Sequence, residues 1–431
     1  MSERQLPDYH EFYSAFTPAM LEDQLDGSME TGINACVECC DRHVDGEKTA
    51  IVWENADGDG GTVSFAKLQR DTARFANLLK AQGIQPGDRV SGLLPRTPEL
   101  VTVILGTLRA GAVYQPLFTA FGPKAIEHRL GVSKAKLLVT DSANRPKLDE
   151  IANCPSVVTV GTAFGKGANY AEAMAEQSDL FEPIMRKGAD NFLIMSTSGT
   201  TGAPKGVNVP LAALPSFDAY MRYGIELRPE DRFWNIADPG WAYGLYYAVI
   251  GPLLLGNTTT LIDGPFTVER TCNVIQKYNI TNLAGAPTAY RLMIAAGDQV
   301  PNAIRGRLRV AASAGEPLNP EVMRWFAEQL DCPLHDQYGQ TEMAMVLMNH
   351  HGLKHEVKPG SAGVPMPGYA MCVVNDAGEP IPDGEPGILA IDRKRSSLWY
   401  FEGYAGREGQ DWVGDLYLTG DSVERANPVS G

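Results

Sequence analysis

Between residues 64 and 117 the chain alternates short β-rich runs with helical periodicity, and that alternation sharply limits the folds open to it. Ser64 stands where an N-cap would stand. Leu68, Thr72, Phe75 and Leu79 follow at spacings of four, three and four, which places them on one helical face. Gly83 stops this helix, and Pro86-Gly87-Asp88 makes a turn. Val90 to Leu94 then predicts a strand, Pro98 to Ala110 a second helix ending at Gly111, and Val113 to Leu117 another strand. Strand, helix and strand in this order predict a parallel α/β architecture.

The same texture recurs further along. Lys136 to Thr140, Ser156 to Val160, Arg232 to Ile236, Thr258 to Ile262, Asn282 to Ala284 and Arg309 to Ala312 read as strands. Val268 to Tyr278 and Pro320 to Leu330 read as helices, the second with Asn319 as its cap. From residue 357 turn clusters crowd together, as in Asp376-Ala377-Gly378 and Asp383-Gly384-Glu385-Pro386-Gly387, with Met371 to Val374 and Ile388 to Ile391 between them. These predict a small antiparallel, barrel-like β unit. The expected fold is therefore α/β, with two subdomains of mostly parallel sheet flanked by helices, at 1–190 and 191–356, and a small distorted β-barrel at 357–431. A chain of 431 residues is long enough for several packed units.

One loop carries the chemistry. The apolar run Phe192-Leu193-Ile194-Met195 reads as a buried strand and empties into Ser196-Thr197-Ser198-Gly199-Thr200-Thr201-Gly202-Ala203-Pro204-Lys205-Gly206. That stretch holds three glycines, five hydroxyl side chains and one lysine. Its glycines let backbone N–H groups converge, and the hydroxyls and Lys205 add donors and positive charge, which suits a polyphosphate. It is not the Gly-x-x-x-x-Gly-Lys-Ser/Thr loop, because Ala203-Pro204 separates Gly202 from Lys205 and a glycine follows the lysine. A flexible Ser/Thr/Gly linker would have no reason to place Pro-Lys-Gly behind its glycines.

Charge sharpens this reading. Lys+Arg 37 against Asp+Glu 52 gives −15, which argues against a nucleic-acid partner and makes the positive charge at Lys205 a local device. The N-terminus has no signal-peptide core, and the most apolar window, Leu245 to Leu255, is short and broken by Gly251-Pro252, so no membrane span is expected. Seven irregularly spaced cysteines read as free thiols of a reducing cytoplasm. Cys36, Cys39, Cys40 and His43 lack a second ligand pair at matching spacing, so a helix with partly buried thiols is expected rather than a zinc site. His350, His351 and His355 likewise read as a solvated loop.

The order Thr-Ser-Gly-Thr-Thr-Gly-x-Pro-Lys-Gly resembles the signature of the adenylate-forming superfamily, which includes acyl-CoA synthetases, luciferases and peptide-synthetase adenylation domains. Later segments resemble that superfamily in the same order, and the likeness covers nearly the whole chain. Gly315-Glu316-Pro317 and Asp336-Gln337-Tyr338 resemble its adenine-binding stretches, with the Tyr338 ring placed to stack on the base. Thr341 and Glu342 match the Thr-Glu that holds the α-phosphate and Mg²⁺. Tyr417-Leu418-Thr419-Gly420-Asp421 resembles the element whose aspartate binds the ribose hydroxyls. Asp238-Pro239-Gly240-Trp241 and Gly285-Ala286-Pro287-Thr288 resemble acyl-pocket segments. The segment Asn34 to His43 resembles a non-catalytic N-terminal helix of acetyl-CoA-synthetase-like proteins.

This resemblance implies a reaction in two halves, with ATP, Mg²⁺ and coenzyme A. A carboxylate attacks the α-phosphorus of ATP and pyrophosphate leaves; a thiol, usually that of coenzyme A, then opens the acyl-adenylate. The protein's part in the first half is positioning and charge neutralisation, by the loop amides, Lys205 and Mg²⁺. Acetyl-CoA synthetases carry a pocket-closing tryptophan just before Gln-Thr-Glu, where this chain has Gly339. Each buried methylene contributes ~0.8 kcal/mol, so a medium-chain, branched or aromatic acid is expected over acetate, by roughly two powers of ten for four methylenes.

Relatives in that superfamily continue past the position of Gly431 with a small mobile domain holding a catalytic lysine, so this stretch alone is expected to bind ATP·Mg²⁺ but to turn over weakly. The arginine-rich stretch that contacts coenzyme A in acetyl-CoA synthetases is not evident near Asp141 to Lys147. Two other readings share the ATP site: an enzyme that loads an acid onto a carrier protein, and a module that senses nucleotide without turnover. A hydrolase finds little support, since Gly-x-Ser-x-Gly is absent. An oligomer is compatible with the sequence.

Overall fold

The computed structural model describes residues 5–162, 167–197, 204–405, the backbone of 407–408, and 412–426. The helix at Phe65–Ala81 forms as its sequence dictates: the Ser64 side chain accepts from the Lys67 N–H at 3.2 Å, and Phe65, Leu68, Thr72, Phe75 and Leu79 are buried along one face. That face packs on the helix Pro98–Arg109. Gly106 permits the close crossing, because a Cβ there would come within 2.8 Å of the Phe75 side chain.

Among the described residues the strands form two nine-stranded sheets and one four-stranded sheet. The first sheet runs Arg407–Glu408, Gly403–Tyr404, Gly206–Pro210, Asn191–Ser196, Val113–Pro116, Arg89–Leu93, Leu137–Asp141, Ser156–Val160, Ala168–Asn169. Pairings from Asn191–Ser196 to Ala168–Asn169 are parallel; those beyond it, through Gly206–Pro210, are antiparallel. The second sheet runs Val364–Pro365, Ala344–Met348, Leu334–Gln340, Val310–Ala314, Asn282–Gly285, Phe233–Asn235, Thr259–Ile262, Thr49–Glu54, Gly60–Ser64, again parallel in the middle with antiparallel edges. The third, antiparallel sheet orders Ala370–Val374, Pro386–Asp392, Leu416–Glu424 and Trp412–Val413 in the region of the expected β unit.

Strand membership does not follow linear order. The hairpin Thr49–Glu54/Gly60–Ser64 joins the second sheet, while Asn191–Ser196 and Gly206–Pro210, read as the opening of the second subdomain, join the first. Long-range pairing, which no local periodicity reports, decides this. The largest apolar core includes Phe217 and Tyr246, whose rings stack at 4.4 Å. The apolar run from Leu245 is wound as a buried π-helical segment, Leu245–Ile250, that continues into the helix Gly251–Leu254. No helix among the described residues is long and apolar enough to cross a membrane.

The expectation of a solvated histidine loop fails for His350 and His351, while His355 is half-buried between exposed Lys354 and Glu356. His350 and His351 are 2% and 6% exposed. The His351 ring lies flat on His335 at 3.8 Å, with its Nε2 2.8 Å from the Ala311 carbonyl. Burial pushes the half-buried His335 down to about 4 and the buried His350 to about 3, so both are neutral bases at neutral pH. Cys36, Cys39 and Cys40 are fully buried around the short helix Ala35–Cys39, capped by Asn34. Their sulfurs contact separate partners, Thr72 Oγ1, the Ile250 carbonyl and the Phe65 carbonyl, and burial pushes the Cys36 thiol up to about 11.

Candidate active site

In open α/β sheets, ligands gather outside the carboxyl ends of the parallel strands. Here Thr197 follows Asn191–Ser196, Trp241 lies beyond Phe233–Asn235, and Gly315 follows Val310–Ala314. These residues converge on one cavity of about 420 Å³ that also takes in Lys205, Gly339, Gln340, Thr341, Glu342, Tyr404, Tyr417 and Thr419.

The base of the glycine loop is a strand pair: Ser196 is in register with Gly206, and the Thr197 N–H donates to the Lys205 carbonyl at 3.0 Å. Of the predicted phosphate-binding set, Thr197 and Lys205 line the cavity; Ser198, Gly199, Thr200, Thr201 and Gly202 lie outside the described residues. The Lys205 ammonium sits over the Tyr404 ring, 4.1 Å from its centroid.

The facing wall is the turn between Leu334–Gln340 and Ala344–Met348. It brings Thr341 and Glu342 into the cavity. Glu342 is 6% exposed, and Tyr404 Oη donates to its Oε1 at 2.7 Å. Tyr246 Oη donates to the Thr341 carbonyl at 3.2 Å and Tyr400 Oη at 3.4 Å. Burial, reinforced by the Glu342 charge, pushes the phenols of Tyr246, Tyr400 and Tyr417 well up. They therefore stay protonated as donors, Tyr246 and Tyr400 to the Thr341 carbonyl and Tyr417 to the Gln340 amide oxygen.

Beside this wall a side-chain network joins the second sheet to the third. Tyr338 Oη donates to Asp421 Oδ2 at 2.5 Å, Gln340 Nε2 to the same oxygen at 2.8 Å, and Tyr417 Oη to Gln340 Oε1 at 3.0 Å. Tyr338 and Asp421, remote in sequence, are thus in contact; neither they nor Asp336 line the cavity, which the pair meets through Gln340, a lining residue bonded to Asp421. Asp336 accepts from the Leu318 and Gln337 N–H groups at 3.3 and 3.0 Å, and burial raises its carboxyl to about 6. Gln337 differs from the expectation. Strand alternation turns its side chain away from the cavity into the core, where it meets Tyr220 Oη and the Gly224 carbonyl. Glu316 is also engaged elsewhere, by Arg291 at 2.8 Å and by Thr288. Gly315 lines the cavity; Glu316 and Pro317 do not.

The apolar end is formed by Trp241, Ala242, Tyr243, Tyr247 and Met345. Of the expected acyl-pocket residues, Trp241 and Gly339 are here, whereas Gly285 sits against Tyr290 and Ile236 and Ala286 caps the helix Pro287–Ala295. Gly339 is fixed by geometry: a Cβ would come within 2.1 Å of the Ala344 carbonyl oxygen, across a bulge in the strand pair. Sequence reasoning missed Tyr404, Tyr243, Tyr247 and Gln340. Alternation along Leu334–Gln340, which puts Tyr338 and Gln340 on one face, would have found the last.

The donor set fits a hard divalent cation only in part. Glu342 supplies a buried carboxylate and Thr341 a hydroxyl, but no cluster of three or more His, Cys, Asp or Glu among the described residues could hold a metal alone. A Mg²⁺ here would need further oxygens from a bound polyphosphate, its usual mode of binding.

The chain is similar to known proteins over nearly its whole length. A family model described as AMP-binding enzyme matches residues 40–405. The acetyl-coenzyme A synthetase of Bacillus subtilis (strain 168) is 32% identical over 99% of this chain and 80% of its own length. That of Novosphingobium aromaticivorans is 31% identical, with 91% of this chain matching 66% of the relative. The crystal structure of an acyl-CoA synthetase from Brucella canis superposes with a TM-score of 0.95 at 52% identity, covering 98% of this chain and 78% of that one.

Proposed function

The chain belongs to the AMP-binding enzyme family, and from that premise we propose that it activates a carboxylic acid as its acyl-adenylate for transfer to coenzyme A. The observation that carries the reading is the shared cavity of Thr197, Lys205, Thr341 and Glu342, to which the Tyr338–Asp421 pair is joined through the lining residue Gln340. In this reading the loop base and Lys205 grip the departing pyrophosphate. Tyr338 and Asp421 hold the nucleoside, and Thr341 sits at the α-phosphate. Glu342 and Thr341 would hold Mg²⁺, which neutralises phosphate charge when bound. The acid is already ionised at neutral pH, so the first half-reaction needs alignment for in-line attack rather than a general base. Names of the matched relatives favour coenzyme A over a carrier protein as acceptor.

We further propose an acid longer than acetate, although the curated relatives are named acetyl-coenzyme A synthetases. Gly339 supports this, since its backbone setting admits no side chain to close the apolar end. The rings of Trp241, Tyr243 and Tyr247 favour an aliphatic or aromatic body over a bare methyl group. The test is pyrophosphate release over a panel of acids, with and without coenzyme A. Release with hexanoate or an aryl acid at a higher kcat/KM than with acetate is expected. Acetate as the best substrate would refute the chain-length proposal, and no acid-dependent release in a single-turnover assay able to detect the weak turnover expected of this stretch would refute the ligase reading.

A further inference from the structure

Tyr404 enters the site from a segment that neither the loop nor the facing wall contains. Gly403–Tyr404 is a two-residue strand on the first sheet, with Tyr404 in register with Val207 and the Ala405 N–H donating to the Gly206 carbonyl at 2.8 Å. Its backbone is therefore clamped to the strand that begins just after Lys205. Its ring lies under the Lys205 ammonium at 4.1 Å, and its hydroxyl reaches Glu342 Oε1 at 2.7 Å. One side chain thus touches the cation of the glycine loop and the carboxylate of the opposite sheet.

We propose that Tyr404 is a positioning residue that sets Lys205 and Glu342 in fixed relation across the cleft. The ring would steady the ammonium for the pyrophosphate moiety, and the hydroxyl would orient the carboxylate for a divalent cation. The two functions reside in different parts of the side chain, so they separate chemically. A phenyl ring keeps the face beneath the ammonium and loses the donor; an aliphatic chain loses both. The inference rests on the proposed ATP-dependent activation but is tested by binding alone.

The experiment is calorimetric titration of this chain with ATP at stepped Mg²⁺ concentrations, and with inorganic pyrophosphate. Tyr404→Phe should raise the Mg²⁺ concentration for half-maximal ATP binding by about tenfold while leaving pyrophosphate affinity within about twofold. Tyr404→Leu should show the same Mg²⁺ shift and weaken pyrophosphate by about fivefold. In a Glu342→Gln background, Tyr404→Phe should have no further effect on Mg²⁺ dependence. This last measurement separates positioning from general destabilisation, which would add to the Glu342→Gln loss. A Phe variant indistinguishable from the wild type, or additive losses in the double variant, would overturn the inference and leave the ligase reading intact. A wild-type chain that binds ATP·Mg²⁺ but releases no pyrophosphate with any acid in that single-turnover assay would overturn the ligase reading, with Tyr404 still judged by its binding data. No ATP binding by the wild type would overturn both.

Discussion

The two ends of the cleft are built differently. At the end proposed to hold phosphate, Thr197 and Lys205 stand where a strand pair opens, and the Lys205 side chain rests on an aromatic ring. At the end proposed to hold the nucleoside, Tyr338, Gln340, Tyr417 and Asp421 are knitted by hydrogen bonds that also fasten the second sheet to the third. One end concentrates charge with little packing; the other shares its residues with the architecture. Substitutions should therefore cost turnover at the first end, and both affinity and stability at the second.

The largest effect is expected at Lys205. Lys205→Met should lower pyrophosphate release by about 10²–10³-fold, the loss typical of removing one preorganised group from a developing anion. Its melting temperature should stay near that of the wild type; a large drop would break the contrast between the two ends. Next comes Gly339→Ala, whose Cβ would collide with the Ala344 carbonyl oxygen. Overpacking of this kind costs about 1–3 kcal/mol, measurable by denaturant titration, and an unchanged midpoint would show that the wall is looser than its geometry implies. Asp421→Asn should weaken ATP binding about tenfold and also lower stability, because the same oxygen receives Tyr338 and Gln340. Loss of affinity with no loss of stability would detach the network from the fold.

The smallest effect concerns pH. Burial raises the Asp336 carboxyl to about 6, so the folded chain holds this proton more tightly than the unfolded chain does. The resulting stability is fully present below about pH 4 and is lost as the pH climbs through about 6. Asp336→Asn keeps an acceptor for Leu318 and Gln337 but carries no charge. Relative to the wild type it should gain about 1 kcal/mol between pH 4.5 and 7.5, after allowance for partial exposure. A difference constant with pH would exclude Asp336 as the source.

Features set by local physics were legible in the sequence. The strand Ser156–Val160 and the helix Pro320–Leu330 with its Asn319 cap fall on the expected residues, because cap chemistry and periodicity act within a few positions. Thr197, Lys205, Trp241, Gly315, Gly339, Thr341 and Glu342 meet in one cavity because the motifs that mark them follow strand ends. What escaped depends on distant partners. Gly403–Tyr404 is too short to register as a strand, and its pairings with Gly206–Pro210 and Arg407–Glu408 give it a place. His350 and His351 sit in a polar, aperiodic stretch that looks solvated. They are buried because carbonyls of Pro365 and Ala311 lie beside their ring nitrogens, which composition cannot foretell.

The pairing of Gly403–Tyr404 with Gly206–Pro210 also bears on solubility. Without it, the main-chain groups around Gly206 and Val207, at the start of an apolar strand, would stand open along a sheet border, an invitation for another chain to dock edge to edge. The short returning segment acts as a hem, and any change that lifts it should first appear as turbidity on standing.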